Sequence, residues 1–148
     1  MSNHKSRLRN SVEIAPFDDV AFLEAGIDRG AADVRLYCML AECCRTCEVI
    51  CAVCRFARQA QNQVRRMRGA FFVLTGQTHR PRPTCPFICT CLDTLRQLCL
   101  EECRASQCFL EHAACTKNPC LAELYEEIGR EKACTAVELE RLIGTLLC

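Results

Sequence analysis

Sixteen of the 148 residues are cysteine, and their spacing carries the chemistry of this sequence. Cys43/Cys47, Cys47/Cys51, Cys85/Cys89 and Cys99/Cys103 stand four apart, while Cys44/Cys47 and Cys51/Cys54 stand three apart. On a helix such pairs share a face with Cβ atoms about 5–6 Å apart, whereas a disulfide needs roughly 3.5–4.5 Å, so they close poorly into crosslinks. They can share a metal ion. Thiolates are soft donors suited to Zn2+ or Cu+, and tetrahedral zinc takes four sulfur or nitrogen ligands, commonly supplied as two pairs.

Two ligand sets follow. One mixes thiols with a histidine at short, irregular spacings: Cys99, Cys103, Cys108, His112, Cys115 and Cys120. The other, Cys43, Cys44, Cys47, Cys51 and Cys54, reads as one helix and needs a partner such as Cys38, Cys85, Cys89 or Cys91. Neither has the paired CxxC…CxxC or CxxC…HxxxH separation of a standard zinc finger. The expectation is at least one structural zinc, with Cu+ as the alternative, reinforcing a small core. Free thiols also behave as small hydrophobes, so cysteines on an apolar face can be core instead, the reading that suits the isolated Cys134 and Cys148.

Catalytic arrangements are sparser. A cysteine nucleophile needs a base, and the histidines are His4, His79 and His112. His112 follows Cys108 by four residues, yet the neighbouring thiols favour metal ligation there. The CxxC pairs Cys44/Cys47 and Cys51/Cys54 follow no strand-like run, so the setting of a thioredoxin-type dithiol is missing. With no phosphate-binding glycine loop and no HExxH, a binding protein is expected rather than an enzyme.

The elements that must position these residues read as helices. Asp18 or Asp19 can cap a short helix through Val20, Phe22 and Leu23, ended by Gly26 and Gly30. From Ala31 to Arg68 there is no Pro or Gly, and Leu36, Tyr37, Leu40, Cys44, Cys47, Cys51 and Cys54 recur at three and four, which predicts one long helix. Phe71–Leu74 either extends it or forms a short strand. Gly76, Pro81, Pro83 and Pro86 make 75–86 a linker. A helix is then predicted from Thr84–Cys85 to Ala114, and another from Asn118-Pro119 to Gly129. Thr135 and Glu138 form a capping box ahead of a last helix with Leu139, Leu142, Ile143 and Leu146. The expected fold is all-α: a cysteine-rich, metal-stabilised small bundle of four to five helices, one domain over 15–148 behind a flexible basic arm at 1–14.

Composition sets the wider bounds. Half the residues are apolar, a quarter are charged, and the net charge is +1, which disfavours both wholesale disorder and a generally polyanion-binding chain. The start, MSNHKSRLRN, is polar and basic with no apolar h-region after it, so reduced thiols and a cytoplasmic or nuclear location are expected. No apolar run approaches a membrane span. Charge is uneven, however. Between Cys51 and Leu92 there is no acid, against Arg55, Arg58, Arg65, Arg66, Arg68, Arg80 and Arg82. That segment reads as a solvated face beside a linker, or as a footprint for nucleic acid, although no aromatic residues alternate with the arginines to stack bases.

Two resemblances are carried by short motifs. The helical CxxxC pairs at Cys43–Cys54, Cys85–Cys89 and Cys99–Cys103 resemble those of the cytosolic copper storage proteins, four-helix bundles whose inward cysteines hold many Cu+ ions. Those proteins repeat the motif on every helix, whereas 119–129 and 136–147 here are aliphatic. The second motif, Thr94-Leu95-Arg-Gln-Leu98-Cys99-Leu-Glu-Glu-Cys103, resembles the elongin C-binding BC-box of SOCS-box proteins and of viral adaptors such as Vif. It implies a helix laid in a groove, with Thr94, Leu95, Leu98 and Cys99 at the elongin C interface and a cullin ubiquitin ligase recruited. Its last position is Cys103 rather than an aliphatic residue, and no Leu-Pro cullin box follows.

Overall fold

The computed structural model describes residues 18–82, 86 and 89–147, and these fold into four helices. They are α1 (Asp19–Cys43), α2 (Cys47–Thr75), α3 (Cys91–Cys115) and α4 (Pro119–Leu146). The basic arm at 1–14, Cys85 and Cys148 lie outside the described residues.

Four of the expected boundaries move. Gly26 and Gly30 do not end the first helix; α1 runs through them because they are where α2 comes close. A Cβ at Gly30 would meet Val64 Cγ2 at 2.5 Å. The long helix expected over 31–68 is broken at Cys44–Thr46, where Cys44 turns extended (ψ 146°) and its amide still bonds Leu40 O at 2.8 Å. Cys43 and Cys44 therefore close one helix, while Cys47, Cys51 and Cys54 open the next. Nor does Gly129 stop α4: its carbonyl accepts from Ser106 Oγ at 2.7 Å, so a bare backbone is needed for α3 to approach. Thr135 consequently lies in mid-helix, its hydroxyl bonded to Gln59 Oε1 and Glu131 O, and caps nothing.

Other signals hold. Asp18, Thr90 and Asn118 each cap a helix through side-chain oxygen, with Pro119 in the first turn of α4. Phe71–Leu74 continue α2, which ends at Gly76 with φ 69°, the left-handed C-terminal conformation glycine adopts without strain. The third helix begins at Cys91, later than Thr84–Cys85.

Two hairpins, α1–α2 and α3–α4, pack face to face. Contacts of α1 with α3 run from Asp19–Thr116 through Arg29–Glu101 to Cys44–Cys91, and those of α2 with α4 from Glu48–Arg141 through Arg55–Glu138 to Arg66–Glu127. Each helix is thus antiparallel to both neighbours. The connection that follows α2 starts beside the start of α1, and α3 begins beside the end of α1. The connection is tethered to α1 at Asp28, whose Oδ1 meets His79 Nε2 at 2.8 Å and the Arg82 amide at 3.4 Å.

The interior has two apolar clusters separated by a polar layer. One cluster gathers Leu40, Val49, Phe56, Leu95, Leu98, Leu139 and Leu142; the other gathers Leu23, Ile27, Met67, Phe71, Phe109, Tyr125 and Ile128. Between them Asp33, Glu102 and Lys132 are each only 5% exposed. Lys132 Nζ stands 3.5 Å from Glu102 Oε2, Tyr37 donates to Glu102 Oε1 at 3.2 Å, and Asp33 faces Arg29 Nε at 3.4 Å. Burial pushes the Asp33 carboxyl up to about 6, assisted by Glu102 and Glu101 and opposed by Lys132 and Arg29.

A carboxyl raised on folding stabilises the protein fully below its unfolded value and loses that contribution as pH rises through about 6. Asp33→Asn is therefore expected to gain about 1–3 kcal/mol over wild type at pH 7.5 and little at pH 4. Lys132→Met, which leaves both carboxylates without their central cation, should lose about 3–5 kcal/mol. Urea unfolding of the three proteins across pH checks both.

Candidate functional site

The described free cysteines do not gather inside the bundle. Cys38, Cys43, Cys47, Cys51, Cys54, Cys89, Cys103, Cys108, Cys115, Cys120 and Cys134 are exposed, and Cys99 is half-buried. The apolar clusters already fill each helix's inner stripe, so the thiols take the outer ones, the reverse of the inward cysteines that the resemblance to copper storage proteins implies. Among the described residues no three His, Cys, Asp or Glu side chains stand close enough to hold one ion. The set Cys99, Cys103, Cys108, His112, Cys115 and Cys120 is spread along α3 and the first turn of α4, and Cys43, Cys47, Cys51, Cys54 and Cys89 likewise do not converge. The expectation of unbridged thiols fails at one place. Cys44 and Cys91 form a disulfide across a Cα–Cα distance of 6.2 Å, which takes Cys44 out of the candidate ligands.

The cysteine–histidine pair is no activated dyad. His112 Nδ1 lies 3.7 Å from Cys108 Sγ but 2.8 Å from the Cys108 carbonyl oxygen, a contact that places the ring proton on Nδ1. The ring also stacks on Phe22, centroids 3.7 Å apart. Desolvation and the nearby Glu111 push the Cys108 thiol up, away from thiolate. Cys99 is pushed up similarly, by desolvation and by Cys103, and donates to Ala136 O at 3.4 Å.

The BC-box-like segment is spent on the fold. Leu95 and Leu98 are fully buried in the apolar cluster with Leu40, Val49 and Phe56, and Thr94, itself buried, bonds Thr90 O at 2.8 Å. A helix docking into a partner's groove must present these side chains outward, so this bundle offers none of the motif's leucine anchors.

The basic segment divides in two. Arg55 pairs with Glu138, whose carboxyl its hydrogen bonds hold below the usual range, and Arg66 bonds Glu131 Oε1 at 2.7 Å and pairs with Glu127. These two belong to the α2–α4 seam. Arg58, Arg65 and Arg68 point away from the bundle and make no ion pair with a described residue. Arg80 and Arg82 are exposed on the linker.

Arg58, Arg65 and Arg68 lie on one stripe of α2. Cys47, Cys51, Cys54, Arg58, Gln61, Arg65, Arg68 and Phe72 recur at four, three, four, three, four, three and four, and every one is exposed. At about 1.5 Å per residue the three arginines span about 15 Å of helix. The stripe ends in apolar surface, with Phe72 54% and Val73 83% exposed. No acid occurs on α2 after Glu48.

Comparison with protein-family models, curated proteins and solved structures finds no match. The site's reading therefore rests on its own residues. Charge counting along the sequence marked the arginines but not which of them α4 neutralises, and it passed over Phe72 and Val73. Helical spacing from Arg58 onward was the signal that aligns them. Among the described residues no helix is long and apolar enough to cross a membrane.

Because Leu95 is core, Leu95→Ala should cost about 2–5 kcal/mol of stability in urea unfolding, a loss that precedes any effect on a partner.

Proposed function

We propose that the chain is a non-enzymatic interaction protein that recognises an acidic segment of a protein partner through the outer face of α2. The observation carrying this reading is the stripe itself: Arg58, Arg65 and Arg68 exposed in line, adjoining the exposed side chains of Phe72 and Val73. An acidic helix or strand with an apolar residue at one end complements that surface in both charge and hydrophobicity. Arginine and aromatic residues are also the types that most often carry binding energy at interfaces.

Nucleic acid fits the stripe less well. Three arginines over three turns can neutralise few phosphates, Arg55 and Arg66 are withdrawn into ion pairs, and Val73 offers nothing to a phosphate backbone. Among the described residues no three ligating side chains converge, short of the four donors that tetrahedral zinc takes.

The test compares wild type with Arg58→Glu/Arg65→Glu/Arg68→Glu and with Phe72→Asp, all on exposed positions and expected to keep the helical circular dichroism signal. Crosslinking affinity purification from cells should enrich acidic proteins with wild type, and both variants should lose them at least tenfold. In parallel, labelled single- and double-stranded oligonucleotides should show no binding by anisotropy at physiological salt. Oligonucleotide binding that falls steeply with salt and disappears in the triple variant would refute the protein-partner reading, as would partners that survive both substitutions.

A further inference from the structure

The Cys44–Cys91 bridge joins the turn that links α1 to α2 in one hairpin to the first turn of α3 in the other, at the end of the bundle. A groove of about 350 Å³ at this end of the bundle is lined by Cys43, Cys44, Arg45, Val49, Cys91 and Leu146. Cys44 is 8% exposed, and Cys91 is half-buried. The bridge thus lies at the edge of the apolar cluster, with Cys44 packed into it and both cysteines lining the groove. The exposed thiols Cys43 and Cys89 flank it in sequence.

We propose that Cys44–Cys91 is a thiol-exchange site, opened and closed by a small anionic thiol of the glutathione class that enters this groove. Three features support it. Cys91, the more exposed residue of the two, lines the groove from which a thiolate would attack. Arg45 at the groove wall supplies a cation for an anionic ligand. Cys91 is the first residue of α3, where the helix N-terminus favours a departing thiolate.

The chemistry balances in two displacements. The entering thiolate forms a bond to Cys91 Sγ as the Cys44–Cys91 bond breaks, and the electron pair leaves on Cys44 Sγ, which takes a proton from water. A second small thiolate then attacks the ligand sulfur of the mixed disulfide, forming the small-molecule disulfide and releasing Cys91 as thiolate. Two thiols are oxidised to one disulfide while one protein disulfide is reduced to two cysteines. Closure reverses the sequence, with Cys44 resolving the adduct on Cys91.

The bridge spans 47 residues of chain and the seam between hairpins, so its state sets whether they are locked at this end. Opening frees Leu92 and Leu146, which line the same groove, to part from Val49. The remaining contacts between hairpins, from Tyr37–Glu102 to Tyr125–Asp19 and through the two apolar clusters, include no second disulfide among the described residues and keep the bundle folded.

The full chain, oxidised at this pair, is incubated in native buffer with millimolar glutathione over a series of reduced-to-oxidised ratios, quenched in acid, alkylated and mapped by mass spectrometry. The linked peptide should disappear and return reversibly with the ratio. A glutathione adduct should peak on Cys91 between the two ends while helical circular dichroism stays constant. Reduction should lower the melting temperature by about 5–10 °C, and Cys44→Ala/Cys91→Ala should show no such response. A bridge that survives fully reduced glutathione, or opens only in denaturant, overturns the proposal. So do adducts scattered evenly over the exposed cysteines with none enriched on Cys91. The wild-type exchange map decides by itself if the double variant does not fold.

Discussion

The structure turns on three charged side chains held away from water at its middle. Removing Asp33, Glu102 and Lys132 from solvent carries a desolvation cost that is offset only if each finds its counter-charge and hydrogen bonds. Lys132 on α4 reaches Glu102 on α3, Glu102 accepts from Tyr37 on α1, and Asp33 meets Arg29. Helices of 25–29 residues with aliphatic inner stripes can slide by a turn at little hydrophobic cost. Any such slide here strands a buried charge. The layer therefore fixes register, and the two apolar clusters above and below it supply the favourable area.

That constraint explains why the thiols are where they are. On α2 the inner stripe is Val49, Ala52, Val53, Phe56, Ala60, Gln63, Met67 and Phe71, already a complete helical face. The cysteines fall on the opposite stripe and so face water. The same holds on α3, where Leu95, Leu98, Glu102, Ser106 and Phe109 occupy the inner positions and leave Cys103, Cys108 and Cys115 outside. Cysteine is the residue whose apolar and ligating roles are hardest to separate by pattern, because it satisfies either. Spacing at three and four identifies a shared face without saying which way the face looks.

Much of the fold was still readable. Helix content, the 75–86 connection, the Asn118-Pro119 start and the caps at Asp18 and Asn118 all follow from local chemistry, which acts over three or four residues. What escaped depends on neighbours distant in sequence. Gly26, Gly30 and Gly129 are helix breakers by propensity, yet each sits where a second helix needs room, and tertiary packing outweighs a local cost of about 1 kcal/mol. The break at Cys44–Thr46 has no Pro or Gly to announce it. Glu102 and Lys132 stand at core spacing, Leu98–Glu102 and Ile128–Lys132, a pattern that marks buried charge once the stripe's direction is known. The candidate surface on α2 was half readable for the same reason: the arginines are visible in sequence, but their neutralisation by Glu138, Glu127 and Glu131 comes from a helix some 60 to 80 residues away.

The topology gives the inter-hairpin seam a separate energetic status. Each hairpin closes through a turn of three residues, Cys44–Thr46 or Thr116–Asn118, so its contacts are local and its loop-closure cost small. Docking the hairpins instead closes the longer connection between Thr75 and Cys91, anchored to α1 by Asp28 and His79 near one end and by the bridge to Cys91 at the other. A covalent link at that point acts on docking and not on either hairpin. Among the described residues it is the one disulfide between the halves and so answers to thiols, while the charged layer answers to pH through Asp33. The two controls lie at different heights on the same seam, and they bear on how tightly the halves close while leaving the outer stripe of α2 intact.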